Sequence, residues 1–231
     1  MRVFVRHCNH SANSAHKQRY SWFSHEKCFK NLLKVFKGHS ITVFFDGDPT
    51  NHFVSKYSGF TLKVCEDGGS DDKSLKGLNE YIQSLNIPDD EIIYFCEDDY
   101  IHRPGAPEKI IEGISIGADY VTLYDHPDKY NPYYNAMNLP GIDFRTQIVM
   151  GPTSHWKTAP STTNTFACKS STLNADYNVN LKYLNRDHHR FLELFVHHKR
   201  SLITPLPGLS THCEIHLLSP YIDWESVLRS T

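Results

Sequence analysis

The sequence predicts an α/β domain built on a largely parallel central sheet. Two observations carry that reading. Strand-like and helix-like runs alternate through residues 1–124 in the order β-α-β-β-α-β-α-β, which implies right-handed crossovers. Residues 125–231 then lose the alternation, with no repeat, low-complexity stretch or linker to mark a second domain. The 231 residues are therefore read as one domain with two unlike halves.

The elements follow in order. Val3–Val5 is a short apolar run and the first expected strand. Residues 22–36 read as a helix, because Phe29, Leu32, Leu33 and Phe36 recur at i, i+3, i+4 and i+7. Ile41–Phe45 is a second strand, ended by the turn signal Asp46-Gly-Asp-Pro49, and Phe60–Cys65 is a third. Gly68-Gly-Ser70 opens a helix with Asp71 and Asp72 in its first turn, where the helix dipole favours carboxylates. Leu75, Leu78, Ile82 and Leu85 form its apolar face. Glu91–Cys96 is a fourth strand and runs directly into Glu97-Asp98-Asp99. Pro107 starts a further helix with Ile110, Ile111 and Ile114 inward, and Tyr120–Tyr124 is a fifth strand.

Residues 125–160 are rich in Asp, Asn, Pro, Tyr and Gly, an irregular stretch of a length that usually carries function. Strands are expected in Ile142–Met150 and Thr163–Cys168, and a helix over 187–198 that buries Phe191, Leu194 and Phe195.

Composition sets outer limits. Hydrophobic residues make up 39% and charged residues 22%, close to the globular average. The net charge of −2 leaves no broad basic field, so nucleic acid is not the expected partner. No apolar run reaches the roughly 20 residues of a membrane span, and Met1–Arg6 meets polar sequence at once, unlike a signal peptide. Six scattered cysteines without a Cys-x-x-Cys pair read as free thiols. A soluble protein of a reducing compartment, the cytoplasm, is the expectation. Fifteen histidines are unusual, and full protonation would carry the net charge to +13, so the chain is expected to turn cationic just below neutral pH.

The sharpest chemical signal is Cys96-Glu97-Asp98-Asp99-Tyr100. In open α/β sheets ligands bind beyond the carboxyl ends of strands, and three adjacent carboxylates repel unless a cation joins them. A hard divalent ion, Mn²⁺ or Mg²⁺, takes such oxygens and bridges to substrate phosphates. Strand alternation points Glu97 and Asp99 one way and Asp98 the other, toward substrate or a loop. Read on its own, the triplet is equally a solvated acidic turn. His212 and His216 flank Glu214 at i, i+4, and His212 is either a metal ligand or a structural polar residue. Arg6, ending the first strand, and Arg19 are placed to reach a base or diphosphate, or are surface charges. His102, beside the triplet, is a candidate substrate contact. Trp156 and the tyrosines of 124–134 either stack on a sugar or pack against the sheet.

The run Tyr94-Phe-Cys-Glu-Asp-Asp-Tyr-Ile-His-Arg103 resembles the D-x-D motif of GT-A glycosyltransferases in a Glu-Asp-Asp variant, and the resemblance extends over nearly the whole chain. It implies a GT-A fold with 1–124 as the nucleotide-sugar-binding half and 125–231 as the acceptor-side half. Asp46 matches the acidic residue that contacts the nucleoside, and the helix start at Ser70 matches the nucleotide-side helix. Asp99, with Glu97, and the late histidine His212 match the metal ligands. A Glu stands where the motif has its first Asp, which leaves Asp99 as the main carboxylate ligand. Asp187 matches the catalytic base of inverting members; read alone, it is equally a helix N-cap.

The resemblance implies a metal-dependent glycosyltransferase that moves a sugar from a nucleotide-diphospho-sugar donor to a glycan or other hydroxyl acceptor. The alternatives are a non-catalytic nucleotide-sugar- or carbohydrate-binding module on the same scaffold, and a nucleotidyltransferase or metal-dependent phosphohydrolase. The sequence has no Gly-rich phosphate loop with lysine, which argues against a P-loop enzyme.

Overall fold

Apolar β-branched and aromatic residues fill the first strands on both faces, the pattern of a sheet covered by helices on each side. The computed structural model describes residues 1–131 and 144–230. Strands β1 (Arg2–Cys8), β2 (Ser40–Asp46), β3 (Thr61–Cys65) and β4 (Ile92–Glu97) pair in parallel in the order β3-β2-β1-β4. The sheet continues through β9 (Phe166–Lys169), β6 (Tyr120–Val121), β10 (Leu202–Leu206), β8 (His155–Thr158) and β7 (Ile148–Met150). Seven of the nine strands run the same way; β9 and β8 oppose them. A short ribbon pairs β5 (Tyr100–His102) with β11 (Ser210–His212). The expectation of a largely parallel sheet holds. The halves 1–124 and 125–231 interleave, because β9 lies between β4 and β6.

Alternation along β1 and β2 sends Val3, Val5, Val43 and Phe45 to one face and Phe4 and Phe44 to the other. Helices α2 (His25–Val35) and α4 (Ala106–Ser115) cover the first face with Phe29, Leu32, Ile110 and Ile114. Helix α3 (Asp71–Ser84) covers the second with Leu78 and Ile82. Three later helices, α5 (Ser170–Ala175), α6 (Tyr177–Lys182) and α7 (Asp187–Val196), extend that second layer through Leu173, Val179, Phe191 and Leu194. Each large side chain so buried contributes about 2 kcal/mol. Ser24 and Ser70 cap α2 and α3 by accepting the amides of Lys27 and Lys73, which is why these helices begin where they do. A four-residue helix α1 (Ala12–Ala15) follows β1, and α8 (Trp224–Ser230) packs Trp224 against Cys28, Ile101 and Cys213.

Several expected details differ. Ile111 and Phe195 lie on the outer flanks of their helices, 45% and 38% exposed, because each apolar stripe is wider than the face its helix buries. The expected strand 120–124 shortens to two residues, with Tyr124 reaching across to Ser210 as an isolated bridge. The irregular stretch contains β7 and β8. Ile142, Tyr133 and Tyr134 lie outside the described residues. All six cysteines are free. Among the described residues no helix is long and apolar enough to cross a membrane.

Candidate active site

The strand order changes direction at β1: β2 and β3 lie on one side of it and β4 on the other, and a crevice opens at such a point beyond the strands' carboxyl ends. There the structure has a cavity of about 540 Å³. The register sets Arg6 beside Glu97 and Cys8 beside Asp46, so Arg6, Asp46 and Glu97 share one face at the cavity wall. The N-terminus of α3, with Gly69, Ser70 and Asp71, closes the same wall.

Asp46 accepts the Gly69 amide on both carboxylate oxygens, at 2.9 and 3.0 Å, and thereby fixes the start of α3. Arg6 spans two carboxylates: Nη1 meets Asp71, and Nη2 meets Glu97 Oε1 at 3.1 Å. Burial pushes the Glu97 carboxyl up to about 7; the Arg6 charge opposes this, while Asp99 and Asp187 add to it. The Glu97 amide donates to Thr165 Oγ1 at 3.2 Å.

The three carboxylates of the triplet take three different sets of partners. Asp98 turns to the α2 face, as alternation predicts, and sits 3.4 Å from both His7 Nδ1 and His25 Nδ1. Burial works against its charge, but the His25 hydrogen bond and the charges of both histidines hold its pKa below the usual range. Asp99 is 2% exposed. Its Oδ2 meets Arg19 Nη2 at 2.7 Å, Lys17 Nζ at 2.9 Å and His212 Nε2 at 3.0 Å. Burial again opposes the charge, and these three partners overcome it, holding Asp99 well below the usual carboxylate range. Lys17 is held cationic in turn, with Asp99 and Glu97 outweighing its own burial. Lys17, Glu97, Asp98 and Asp99 all line the cavity.

His212 reaches Asp99 because β11 pairs with β5 and sets His212 opposite Tyr100, on whose ring it stacks at 5.3 Å. The expectation that Glu97, Asp99 and His212 share a divalent ion meets a different arrangement. Glu97 is committed to Arg6, and Lys17 Nζ lies 3.1 Å from His212 Nε2 as well as against Asp99. Among the described residues no three His, Cys, Asp or Glu side chains are grouped so as to hold a metal ion. As arranged, the residues do not fit Mn²⁺ or Mg²⁺.

Asp187 opens α7 beside the cavity-lining Asn185. It does not cap its helix; its Oδ1 is enclosed and takes no hydrogen bond, with Arg190 Nη2 3.5 Å away. Burial raises its pKa, against the charges of Arg190 and Arg6.

Two expected contacts lie elsewhere. His102 is fully buried between Phe36 and Tyr94, bonded to the Tyr94 hydroxyl at 2.7 Å, and lines no part of the cavity. Its place on β5 turns it into the core rather than toward a substrate. Trp156 is also fully buried, with its Nε1 donating to Glu112 at 3.2 Å; of its two readings, packing against the sheet is the observed one. Lys17 is the residue that sequence reasoning missed. Its spacing of two from Arg19 was the available signal, since both reach one oxygen of Asp99.

No family model matches the chain, and no curated protein matches it. Among solved structures it is similar to CMP:2-keto-3-deoxy-manno-octonic acid synthetase complexed with CTP, with a TM-score of 0.52 and 12% identity. The match covers 90% of this chain and 92% of the other. The two share a fold: a mixed α/β domain with a large, mostly parallel Rossmann-like sheet.

Proposed function

We propose that this chain is a glycosyltransferase that moves a sugar from a nucleotide-diphospho-sugar donor to an acceptor hydroxyl. The observation that carries the reading is Asp187. Its Oδ1 is enclosed and takes no hydrogen bond, Arg190 Nη2 lies 3.5 Å away, burial raises its pKa, and it lies within electrostatic reach of Arg6, Asp71 and Glu97, which line the cavity. Glycosyl transfer needs a group that accepts the proton of the attacking hydroxyl, and a carboxylate of raised pKa is the better base. It also needs fixed positive charge near the departing diphosphate, which Arg6 and Lys17 offer at the cavity wall, with Arg19 beside Lys17 on Asp99. Asp46 and Ser70 border the side of the cavity where a nucleoside would lie. The cavity at the carboxyl ends of β1, β2 and β4 occupies the position in which doubly wound sheets hold nucleotides.

Nucleotidyl transfer is the second reading, favoured by the CTP bound to the similar synthetase. One experiment separates them. The protein is incubated with a panel of nucleotide-diphospho sugars and acceptor glycans, and separately with nucleoside triphosphates and free sugars. Release of nucleoside diphosphate in the first set supports glycosyl transfer. Pyrophosphate from the second set, with none of the first product, replaces it with nucleotidyl transfer. Tight donor binding without either product points to a binding module.

A further inference from the structure

The Lys17 ammonium lies between the two side chains that the D-x-D resemblance assigns to a metal, 2.9 Å from Asp99 Oδ2 and 3.1 Å from His212 Nε2. An ion bound at about 2.0–2.2 Å to both would compete with this ammonium for the space between them, while Asp99 Oδ1 is buried and takes no hydrogen bond. Arg19 adds a second cation on the same oxygen at 2.7 Å. The other carboxylates of the triplet are committed to Arg6 and to His7 and His25.

The segment bearing the two cations is held in place. Arg19 donates to the Cys213 carbonyl at 2.6 Å and lies over the Phe23 ring at 4.5 Å. The Gln18 carbonyl accepts the Ile215 amide at 2.9 Å, which ties residues 17–19 to the chain leaving β11. Lys17 and Arg19 meet the same oxygen of Asp99, and Lys17 brings a positive charge to a cavity wall also lined by the carboxylates of Asp46, Asp71, Asp72, Glu97 and Asp98 and by Arg6. An ammonium has three N–H donors, so with Asp99 and His212 contacted at least one remains for a phosphate oxygen.

We propose that Lys17, seated between Asp99 and His212, is the resident cation of the donor site, and that the diphosphate is held by Lys17, with Arg19 paired to the same Asp99 oxygen, in place of a divalent ion. The proposal rests on the donor-site reading above. It makes donor binding insensitive to chelators, and it makes Lys17 the barrier that keeps Asp99 and His212 from binding a metal.

Two measurements test it. The first needs no nucleotide: Mn²⁺ is titrated into the protein and free Mn²⁺ is followed by electron paramagnetic resonance. The wild-type protein is expected to leave Mn²⁺ free, Lys17→Ala to bind it, and Lys17→Ala with Asp99→Asn to lose it again. Lys17→Met keeps the stem and serves if the alanine variant fails to fold. Wild type binding Mn²⁺ as tightly as Lys17→Ala overturns the proposal. The second is calorimetry with UDP, CDP, GDP and ADP in EDTA. Wild type is expected to bind at least one of them equally with and without Mn²⁺. Lys17→Ala should bind it about tenfold or more weakly in EDTA and recover with Mn²⁺. A wild type that binds only when Mn²⁺ is added overturns the proposal. If none of the four binds under any condition, the donor-site reading fails, and the Mn²⁺ titration still decides what Lys17 does.

Discussion

Gly68 lies so close to Asp46 that a Cβ at position 68 would overlap the Asp46 carboxylate. That carboxylate accepts the Gly69 amide and forms part of the cavity wall at the end of β2. Gly68→Ala is therefore expected to push the Asp46 side chain out of place. Nucleoside diphosphate affinity should fall about tenfold, and the melting temperature should fall as well, because the displaced carboxylate no longer holds the Gly69 amide at the start of α3. Calorimetry beside a thermal melt checks this, and wild-type affinity in the variant would remove Asp46 from the nucleoside site.

Asp99 neutralises Lys17 and Arg19 together, from a position almost wholly out of solvent. Asp99→Asn leaves two cations facing an amide. Breaking a buried pair from one side typically costs about 3–5 kcal/mol, and the partial exposure of Lys17 puts the expectation at the low end, about 3 kcal/mol. Urea denaturation reads the difference directly. A variant as stable as wild type would mean that the two cations find other partners.

The positions of the first four strands were legible from apolar runs alone, since buried parallel strands are continuous stretches such as Ile41–Phe45; their order in the sheet, set by long-range pairing, was not. The triplet was legible for the same reason: it sits where such a run stops. The partner of each carboxylate was not. His212 meets Asp99 across 113 residues through a three-residue ribbon, and Arg19 and Lys17 come from a segment with no regular structure. Short elements like β5 and β8 carry too few residues for a periodicity. His102 shows the converse: adjacency in sequence to the triplet suggested a substrate contact, but one residue of alternation decides between cavity and core.

Trp156 fills the core beside Gly113 and Gly151, both of which lack the Cβ that would collide with its ring. Trp156→Ala should destabilise the fold by about 3–5 kcal/mol. Trp156→Phe, which keeps most of the volume, should leave the acceptor KM unchanged. A raised acceptor KM in the phenylalanine variant, with stability retained, would show that the ring has a contact with substrate.

Acid should destabilise the protein through its buried histidines rather than merely charge its surface. Burial lowers His102 to about 3 and His7 to about 4, from an ordinary 6.5. Between those values the unfolded chain takes protons that the folded chain refuses, so stability falls as pH drops below 6.5, by at most about 1.4 kcal/mol per pH unit for each histidine. Glu97 acts in the opposite sense. Its folded pKa of about 7 exceeds 4.5, so the folded chain holds a proton the unfolded one has released, and stability falls as pH rises through that window. His39, His52 and His126 are lowered by burial as well, while His25 and Asp187 are raised with Glu97; the lowered histidines outnumber the raised groups, so acidification brings a net loss, and the rise in net charge just below neutrality is smaller than 15 free histidines would give. His102→Gln keeps an acceptor for Tyr94 and does not titrate. Its melting temperature should fall less steeply with acid than that of wild type, and parallel slopes would show that His102 is not responsible.

Asp187 provides the most direct test of the chemistry. Burial raises its pKa, and its enclosed Oδ1 has no hydrogen bond to give up before accepting a proton. Asp187→Asn preserves the shape and removes the base. Loss of a general base typically costs 10²–10⁴-fold in rate, so kcat for sugar transfer should fall by about that factor while the donor Kd stays the same. The acid limb of the wild-type pH–rate profile, which reports protonation of the base, should disappear from the residual activity. A variant that keeps both its kcat and its acid limb would move the base elsewhere, with Glu97, held at about 7 in the cavity wall, the next carboxylate to test.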